Sequence, residues 1–122
     1  MKLGKDGRYI IKCFNRAKLS IEEGEEIINN LVRVQLKQCQ FDALVSLVCD
    51  MSEDVLKGSR MLERINSNDF LYTYLDFLQI GNLHCDKDST GKYMRQTEAT
   101  IFNGTFSGTI LGYPRPEELG IN

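Results

Sequence analysis

The stretch that decides the fold is QFDALVSLVCDMSEDVLKGSRMLERINSNDF, residues 40–70. Near the start of this stretch, apolar side chains recur at the spacing i, i+3, i+4 and i+7, which places them on one face of a helix. Two further apolar side chains widen that face. These six residues are Phe41, Leu44, Leu47, Val45, Val48 and Met51. The pattern predicts a buried, central helix from about residue 38 to residue 51.

Short helical segments follow this central helix. The sequence SEDVLKG, residues 52–58, predicts a single helical turn that ends at Gly58. Ser59 can cap the next helix, and NSND, residues 66–69, breaks it. We expect three side chains of that helix to face the core, namely Met61, Leu62 and Ile65.

Two further helices are predicted towards the C-terminus. The first runs from about residue 69 to residue 79, and its spacing predicts four inward residues. The second begins at Ser89 or Thr90 and runs to about residue 103, with apolar contacts from Met94, Ile101 and Phe102. The inward residues of the first helix are Leu71, Tyr74, Leu75 and Leu78.

The residues before the central helix give a weaker pattern. Ser20 and Glu23 form a capping box that predicts a helix over about residues 20–31, with Ile27, Ile28 and Leu31 inward. RYIIKCF, residues 8–14, favours a short strand or an irregular arm, and VRVQL, residues 32–36, a strand or an extended link.

These elements predict one mainly α domain over residues 1–122. We divide it into an N-terminal arm (1–19), a helical unit (20–108) and a C-terminal tail (109–122), where Pro114 and Pro116 oppose a long regular element.

Composition narrows the functional classes. The formal net charge of −2 opposes general affinity for nucleic acid, and no apolar run reaches the roughly 18 residues of a membrane span. The first residues, MKLGKDGRYIIKCF, lack an apolar block long enough for a signal peptide. We therefore expect a cytoplasmic protein that does not associate with membranes.

The sequence favours neither a metal nor a cofactor. A zinc site would need four ligands from His84 and four scattered cysteines, so reduced thiols are the simpler interpretation. DKDSTGKYMRQTE, residues 86–98, begins like a calcium-binding loop, but its twelfth position is Thr97 and Glu98 comes one residue late. Without a bidentate acid at that position calcium affinity would be poor, so a polar loop with a helix cap is the simpler interpretation of this segment.

Three blocks of the chain resemble the helical lobe of phage-type lysozymes, the muramidases that cut the glycan of peptidoglycan. The blocks are NLVRVQLKQCQFDALVSL, KGSRMLERINSNDF and GKYMRQTEATIFNGTF, and the resemblance covers about residues 28–108. It implies that Phe41, Leu44, Val48, Leu62, Leu75 and Phe102 form the core of the lobe. It also implies that Arg95 and Glu98 pair and brace it.

The resemblance weakens where the chemistry of the family is found. Family members begin with a helix that ends in the catalytic glutamate, and a β-lobe follows that carries an aspartate or cysteine and a TxGxG threonine. This chain has no TxGxG motif. The segment most similar to the family's catalytic region is KDGRYIIKCFN, residues 5–15, in which Asp6-Gly7 would take the place of Glu-Gly and Asn15 that of the aspartate. It also lacks tryptophan, which lines the family's cleft. Glycoside hydrolysis normally needs two carboxyl groups.

The resemblance implies that Asp50, Glu53 and Asp54 lie at the corner that faces the cleft in the family. We regard Asp6, Asp50 and Glu53 as weak catalytic candidates, against the alternative of solvated acids at helix ends. The expected binding surface consists of Asp50, Ser52, Glu53, Asp54, Asn82, His84, Asp86 and Lys87.

The resemblance and its departures together suggest a phage-encoded, catalytically inactive lysozyme derivative. We expect it to act in the host cytoplasm by binding a host or phage protein, for counter-defence such as CRISPR inhibition or for control of lysis. The alternatives are a peptidoglycan muramidase and a glycan-binding module. Self-association over the same surface is a further alternative.

Overall fold

The computed structural model describes residues 1–85 and 89–121, where it has seven α-helices, one 3-10 helix and no strand. The mainly α class is therefore confirmed. The helices are α1 Lys5–Phe14, α2 Ile21–Leu31, α3 Gln38–Met51, α4 Glu53–Lys57, α5 Arg60–Asn66, α6 Thr73–His84 and α7 Ser89–Phe102, and the 3-10 helix is Pro116–Leu119.

Helix α3 lies at the centre of the fold. Every residue from Phe41 to Asp50 is buried, and α1, α2 and α7 all pack against this helix. The close approach of α2 depends on Gly24, because a Cβ at this position would lie 2.5 Å from Cys49 Sγ. The prediction of a buried central helix over residues 38–51 is confirmed.

The predicted capping box at the start of α2 is also present. Ser20 Oγ accepts a hydrogen bond from Glu23 N (3.1 Å), and Ser20 N donates to Glu23 Oε1 (3.3 Å). Residues 32–36, VRVQL, form an extended link to α3 and no strand. Helices α4, α5 and α7 lie where the sequence predicts them, although Leu62 is only half-buried.

The prediction of an N-terminal strand or irregular arm is wrong, because residues 5–14 form α1. A strand would turn every second side chain inward, whereas the buried apolar residues here are Tyr9, Ile10 and Cys13, at helical spacing. The helix has no side-chain cap of its own. Its first amides donate instead to Asp42 of α3, at 2.8 Å from Gly4 N and 3.3 Å from Gly7 N.

The predicted inward face of α6 is also wrong. The helix runs over Thr73–His84 and buries a different stripe, consisting of Thr73, Phe77, Ile80 and Gly81. Phe77 packs against Phe102 of α7 with ring centroids 5.8 Å apart, so contact with α7 decides which stripe is covered. The four residues predicted to be inward, Leu71, Tyr74, Leu75 and Leu78, are exposed or half-buried, which also removes Leu75 from the core.

The C-terminal segment folds back onto α1. Tyr9 Oη accepts a hydrogen bond from Ile110 N at 3.2 Å, and both residues are buried. Over the described residues, none of the helices is both long enough and apolar enough to cross a membrane.

Candidate functional site

A buried charged pair on α7 forms the base of the candidate site. Arg95 and Glu98 are both fully buried, at the i, i+3 spacing that the sequence predicts for a pair. Arg95 Nε donates to Glu98 Oε1 at 2.6 Å, and Nη2 donates to Oε2 at 2.8 Å. Such a bidentate contact holds both planar groups in one orientation.

Asp50 and Arg16 extend this pair. Arg95 Nη1 donates to Asp50 Oδ2 at 2.9 Å, and Asp50 Oδ1 faces Arg16 Nε at 3.4 Å. The four charges alternate in sign along the chain of contacts Arg16, Asp50, Arg95 and Glu98, which we call the buried ion network. Ser46 on α3 donates a further hydrogen bond to Glu98 Oε2.

The connection between α1 and α2, residues 15–20, covers the end of α3 beside this network. Lys18 N and Leu19 N both donate to Cys49 O, at 2.7 Å and 3.2 Å. Asn15, the C-cap of α1, has the left-handed conformation φ 49°, ψ 44°, and it is exposed. The connection thus brings Arg16 to Asp50.

The buried ion network acts as a brace. Burial disfavours the charge of Arg95, but Glu98 and Asp50 outweigh burial and raise the pKa of the guanidinium above its usual range. Asp50 is 1% exposed and Glu98 0% exposed, so neither carboxylate is open to a substrate. We conclude that the network can stabilise the fold, but that its two carboxylates cannot reach a ligand in this arrangement.

Sequence reasoning found the Arg95–Glu98 pair but missed Arg16 and Ser46. A guanidinium has five N–H donors, and one carboxylate cannot satisfy all of them. The N–H donors that Glu98 leaves unsatisfied therefore predict that a buried Arg95 has a second acceptor. The identity of this acceptor, Asp50, depends on the packing of α3 against α7, which local spacing does not reveal.

The three catalytic candidates contact different partners. Asp6 lies in the first turn of α1, where burial raises its pKa and the neighbouring Asp42 raises it further. Arg16, which contacts Asp50, follows the opposite end of this helix, roughly 15 Å along the axis at 1.5 Å per residue. Glu53 pairs instead with Lys57 on α4, at 2.6 Å.

An acidic groove lies between α2 and α4. It has a volume of about 270 Å³ and is lined by three carboxylates, Glu23, Glu26 and Glu53, beside half-buried Ile27 and Leu31. The sequence shows four glutamates within five positions of α2, namely Glu22, Glu23, Glu25 and Glu26. It gave no sign that Glu53, 27 residues beyond Glu26, lies on the same groove.

The residues of the expected binding surface lie in different environments. Asp50 is buried and therefore cannot belong to an exposed surface, because Arg95 and Arg16 draw its carboxylate inward. Glu53 is half-buried, and the remaining described members are exposed: Ser52, Asp54, Asn82 and His84. Asp86 and Lys87 lie outside the described residues.

Comparison with known protein families accounts for this fold. Residues 12–98 match the family model described as phage lysozyme, which is more than half of the chain. This chain belongs to the phage lysozyme family. A search of curated proteins gave no match.

Family membership makes the end of α1 informative, because a first helix ending in the catalytic glutamate is expected. In this lysozyme-family chain, α1 ends at Phe14 and the next residue is Asn15. Asp6 lies in the first turn of α1, at the other end of this helix, and before the matched segment. Residues 15–20 join α1 directly to α2, where the family carries its β-lobe.

Proposed function

We propose that this chain is a lysozyme-family protein that acts by binding another protein and not by cutting glycan. The observation that supports this most strongly is the buried ion network, in which Asp50 and Glu98 are committed to Arg16 and Arg95. Hydrolysis needs an acid and a second carboxylate on either side of the scissile bond. An amide at Asn15 can perform neither role.

The acidic groove between α2 and α4 supports the proposal that the partner protein is basic. Glu26 and Glu53 face the groove from two helices, and Ile27 and Leu31 add apolar surface beside them. Complementary charge raises association rates and selects partners, while apolar contact supplies affinity. A partner segment that carries Lys or Arg beside apolar residues fits this groove. Proteins that bind nucleic acid, including host defence nucleases, have such basic surfaces.

Charge reversal tests the groove. We expect Glu26→Lys combined with Glu53→Lys to abolish capture of a host protein that wild-type chain captures from lysate and that binds it in purified form. The matched control is Glu22→Lys with Glu63→Lys, two exposed residues outside the groove. Both double variants change the net charge by +4, from −2 to +2. Equal loss of binding in both would show that net charge, and not the groove, is responsible.

A turbidity assay on purified cell walls tests the muramidase alternative. We expect no clearing above buffer, while an active lysozyme clears the same suspension. Clearing that persists in Asp6→Asn and is lost in Glu53→Gln would overturn the proposal and move the active site to α4. Recovery of peptidoglycan fragments alone from the lysate would favour the glycan-binding module.

A further inference from the structure

A groove of about 420 Å³ lies between α1, the first residue of α2 and the C-terminal segment. Its apolar lining consists of three half-buried isoleucines, Ile11, Ile21 and Ile121. Arg8 and Lys12 line the same groove and are exposed, and none of the lining residues is acidic. Arg8 and Lys12 are four residues apart, so they are neighbours on the surface of α1. We call this recess the basic groove.

The C-terminal wall of the basic groove is held in place by its own contacts. Gly120 ends the 3-10 helix with φ 74°, and Ile121 N donates to Pro116 O at 3.0 Å. The 3-10 helix is also tied to α1, because Lys5 pairs with Glu117. These contacts fix Ile121 beside α1. The recess is therefore present in the chain alone.

The two cations of the basic groove have no carboxylate partner within the part of the chain that the structure describes. Arg8 Nε donates to Leu3 O at 3.4 Å, and Lys12 Nζ donates to Leu119 O at 3.5 Å. Both distances are long for a hydrogen bond from nitrogen to oxygen. Both acceptors are neutral carbonyl groups, so two positive charges remain uncompensated beside an apolar surface.

We propose that the basic groove binds an acidic segment of a protein, in which Asp or Glu side chains lie beside apolar side chains. Carboxylates of this segment pair with Arg8 and Lys12, and its apolar side chains cover the three isoleucines. The partner is opposite in charge to the one proposed for the acidic groove. The inference therefore adds a second binding site to the proposed function.

Charge and shape favour an acidic peptide over other polyanions. Residues 1–18 carry six Lys or Arg and one acid, but the whole chain has a net charge of −2. That overall charge opposes binding to nucleic acid or to an anionic membrane, whose negative charges extend far beyond one groove. A phosphate backbone also has no apolar group to cover isoleucines, whereas a peptide carries both kinds of side chain.

Selection of short random peptides on immobilised wild-type chain tests the proposal. We expect the enriched peptides to carry Asp or Glu beside apolar residues. Fluorescence anisotropy of a purified peptide should then show that Arg8→Glu with Lys12→Glu raises its dissociation constant at least about tenfold. Ile121→Ser should also weaken binding, because it removes apolar contact from the groove.

The matched control is Lys37→Glu with Arg60→Glu, two exposed residues outside the basic groove. Both double variants change the net charge by −4, from −2 to −6. Circular dichroism shows whether each variant remains folded, and if Arg8→Glu with Lys12→Glu unfolds, Arg8→Gln with Lys12→Gln replaces it. The proposal is overturned if the enriched peptides are not acidic, or if the control weakens their binding equally.

Two further measurements separate this site from other interpretations. Glu26→Lys with Glu53→Lys should leave peptide binding unchanged, so the basic groove can fail or hold independently of the acidic groove. Anionic phospholipid vesicles and duplex DNA should not bind wild-type chain. If either binds, and loses binding in the Arg8 and Lys12 variant while no acidic peptide is enriched, the groove binds a different polyanion and the proposal is wrong.

Discussion

Two aspartates on α3 are equally buried but are stabilised in different ways. Asp42 is 2% exposed and Asp50 is 1% exposed, eight residues apart on the same helix. Asp50 lies between the guanidinium groups of Arg95 and Arg16. Asp42 accepts hydrogen bonds from neutral groups, namely the backbone amides of Gly4 and Gly7 at the start of α1 and the side chain of Gln38 at 2.7 Å.

This difference shows that α3 stabilises the fold in a different way at each of its ends. Near the start of α3, Asp42 serves as a cap for α1 from a distant part of the chain. At the end of α3, Asp50 joins α7 to the connection that replaces a β-lobe. Removing a partner of Asp50 leaves a buried charge unpaired. Removing Asp42 leaves only neutral donors unsatisfied, the backbone amides and the side chain of Gln38, so we expect the first loss to be larger.

Arg95→Met is expected to have the largest effect, because it leaves both Asp50 and Glu98 buried without their shared cation. Breaking a buried pair by removal of one partner costs about 3–5 kcal/mol. The measurement is the free energy of unfolding from urea titration. The control is Lys57→Met, which removes the exposed partner of Glu53 and should leave the free energy of unfolding almost unchanged. Equal losses in the two variants would contradict a structural role for the network.

Asp50→Asn should cost more than Asp42→Asn at pH 7. At Asp50 the new amide removes a charge from two cations, and a hydrogen bond to a charged group contributes about 1.5–3 kcal/mol. At Asp42 the amide oxygen still accepts from a neutral backbone N–H, so we expect a change within about 1 kcal/mol. Urea titration of both variants measures the difference, and a larger loss at Asp42 would reverse the comparison.

Sequence reasoning located most helices because their signals are local. The stripe from Phe41 to Val48 and the capping box of Ser20 and Glu23 require no knowledge of the rest of the chain. Both therefore appear in the structure as expected. Even the Arg95–Glu98 pair is local, being three residues apart on one helix.

The errors arise where a distant element decides the outcome. Helix α1 receives its cap from Asp42, 35 residues after Gly7, so its own sequence resembles a strand. Helix α6 has two apolar stripes, and only contact with α7 determines that Phe77 and not Leu75 is covered. Asp50 looked like a solvated acid because Arg95, its main partner, comes 45 residues later.

Asp42→Ala tests the capping role and should cost about 1–2 kcal/mol, the usual range for loss of a helix cap. The amides of Gly4 and Gly7 would then lose their acceptor, so they should exchange hydrogen with solvent faster than in wild-type chain. Amide exchange followed by NMR measures this directly. Ser20→Ala is the control, since it removes the cap of α2 and should leave the α1 amides protected. Unchanged exchange at Gly7 would assign the stability of α1 to packing alone.

The smallest effect expected is a pH dependence specific to Asp42. Burial raises the pKa of this carboxyl, although the hydrogen bonds from Gly4, Gln38 and Gly7 oppose the shift. Its unfolded value is about 3.9. Between the unfolded and the folded pKa the native state binds more protons, so the free energy of unfolding falls as pH rises.

Asp42→Asn isolates this contribution, because the amide does not titrate and the other acids are common to both chains. The stability of wild-type chain relative to the variant should be greatest near pH 4 and should decrease as pH rises through the folded pKa of Asp42. Urea titrations of both proteins from about pH 4 to about pH 8 measure the difference. A difference that grows with pH would mean that the hydrogen bonds from Gly4, Gln38 and Gly7 outweigh burial and lower the pKa of Asp42.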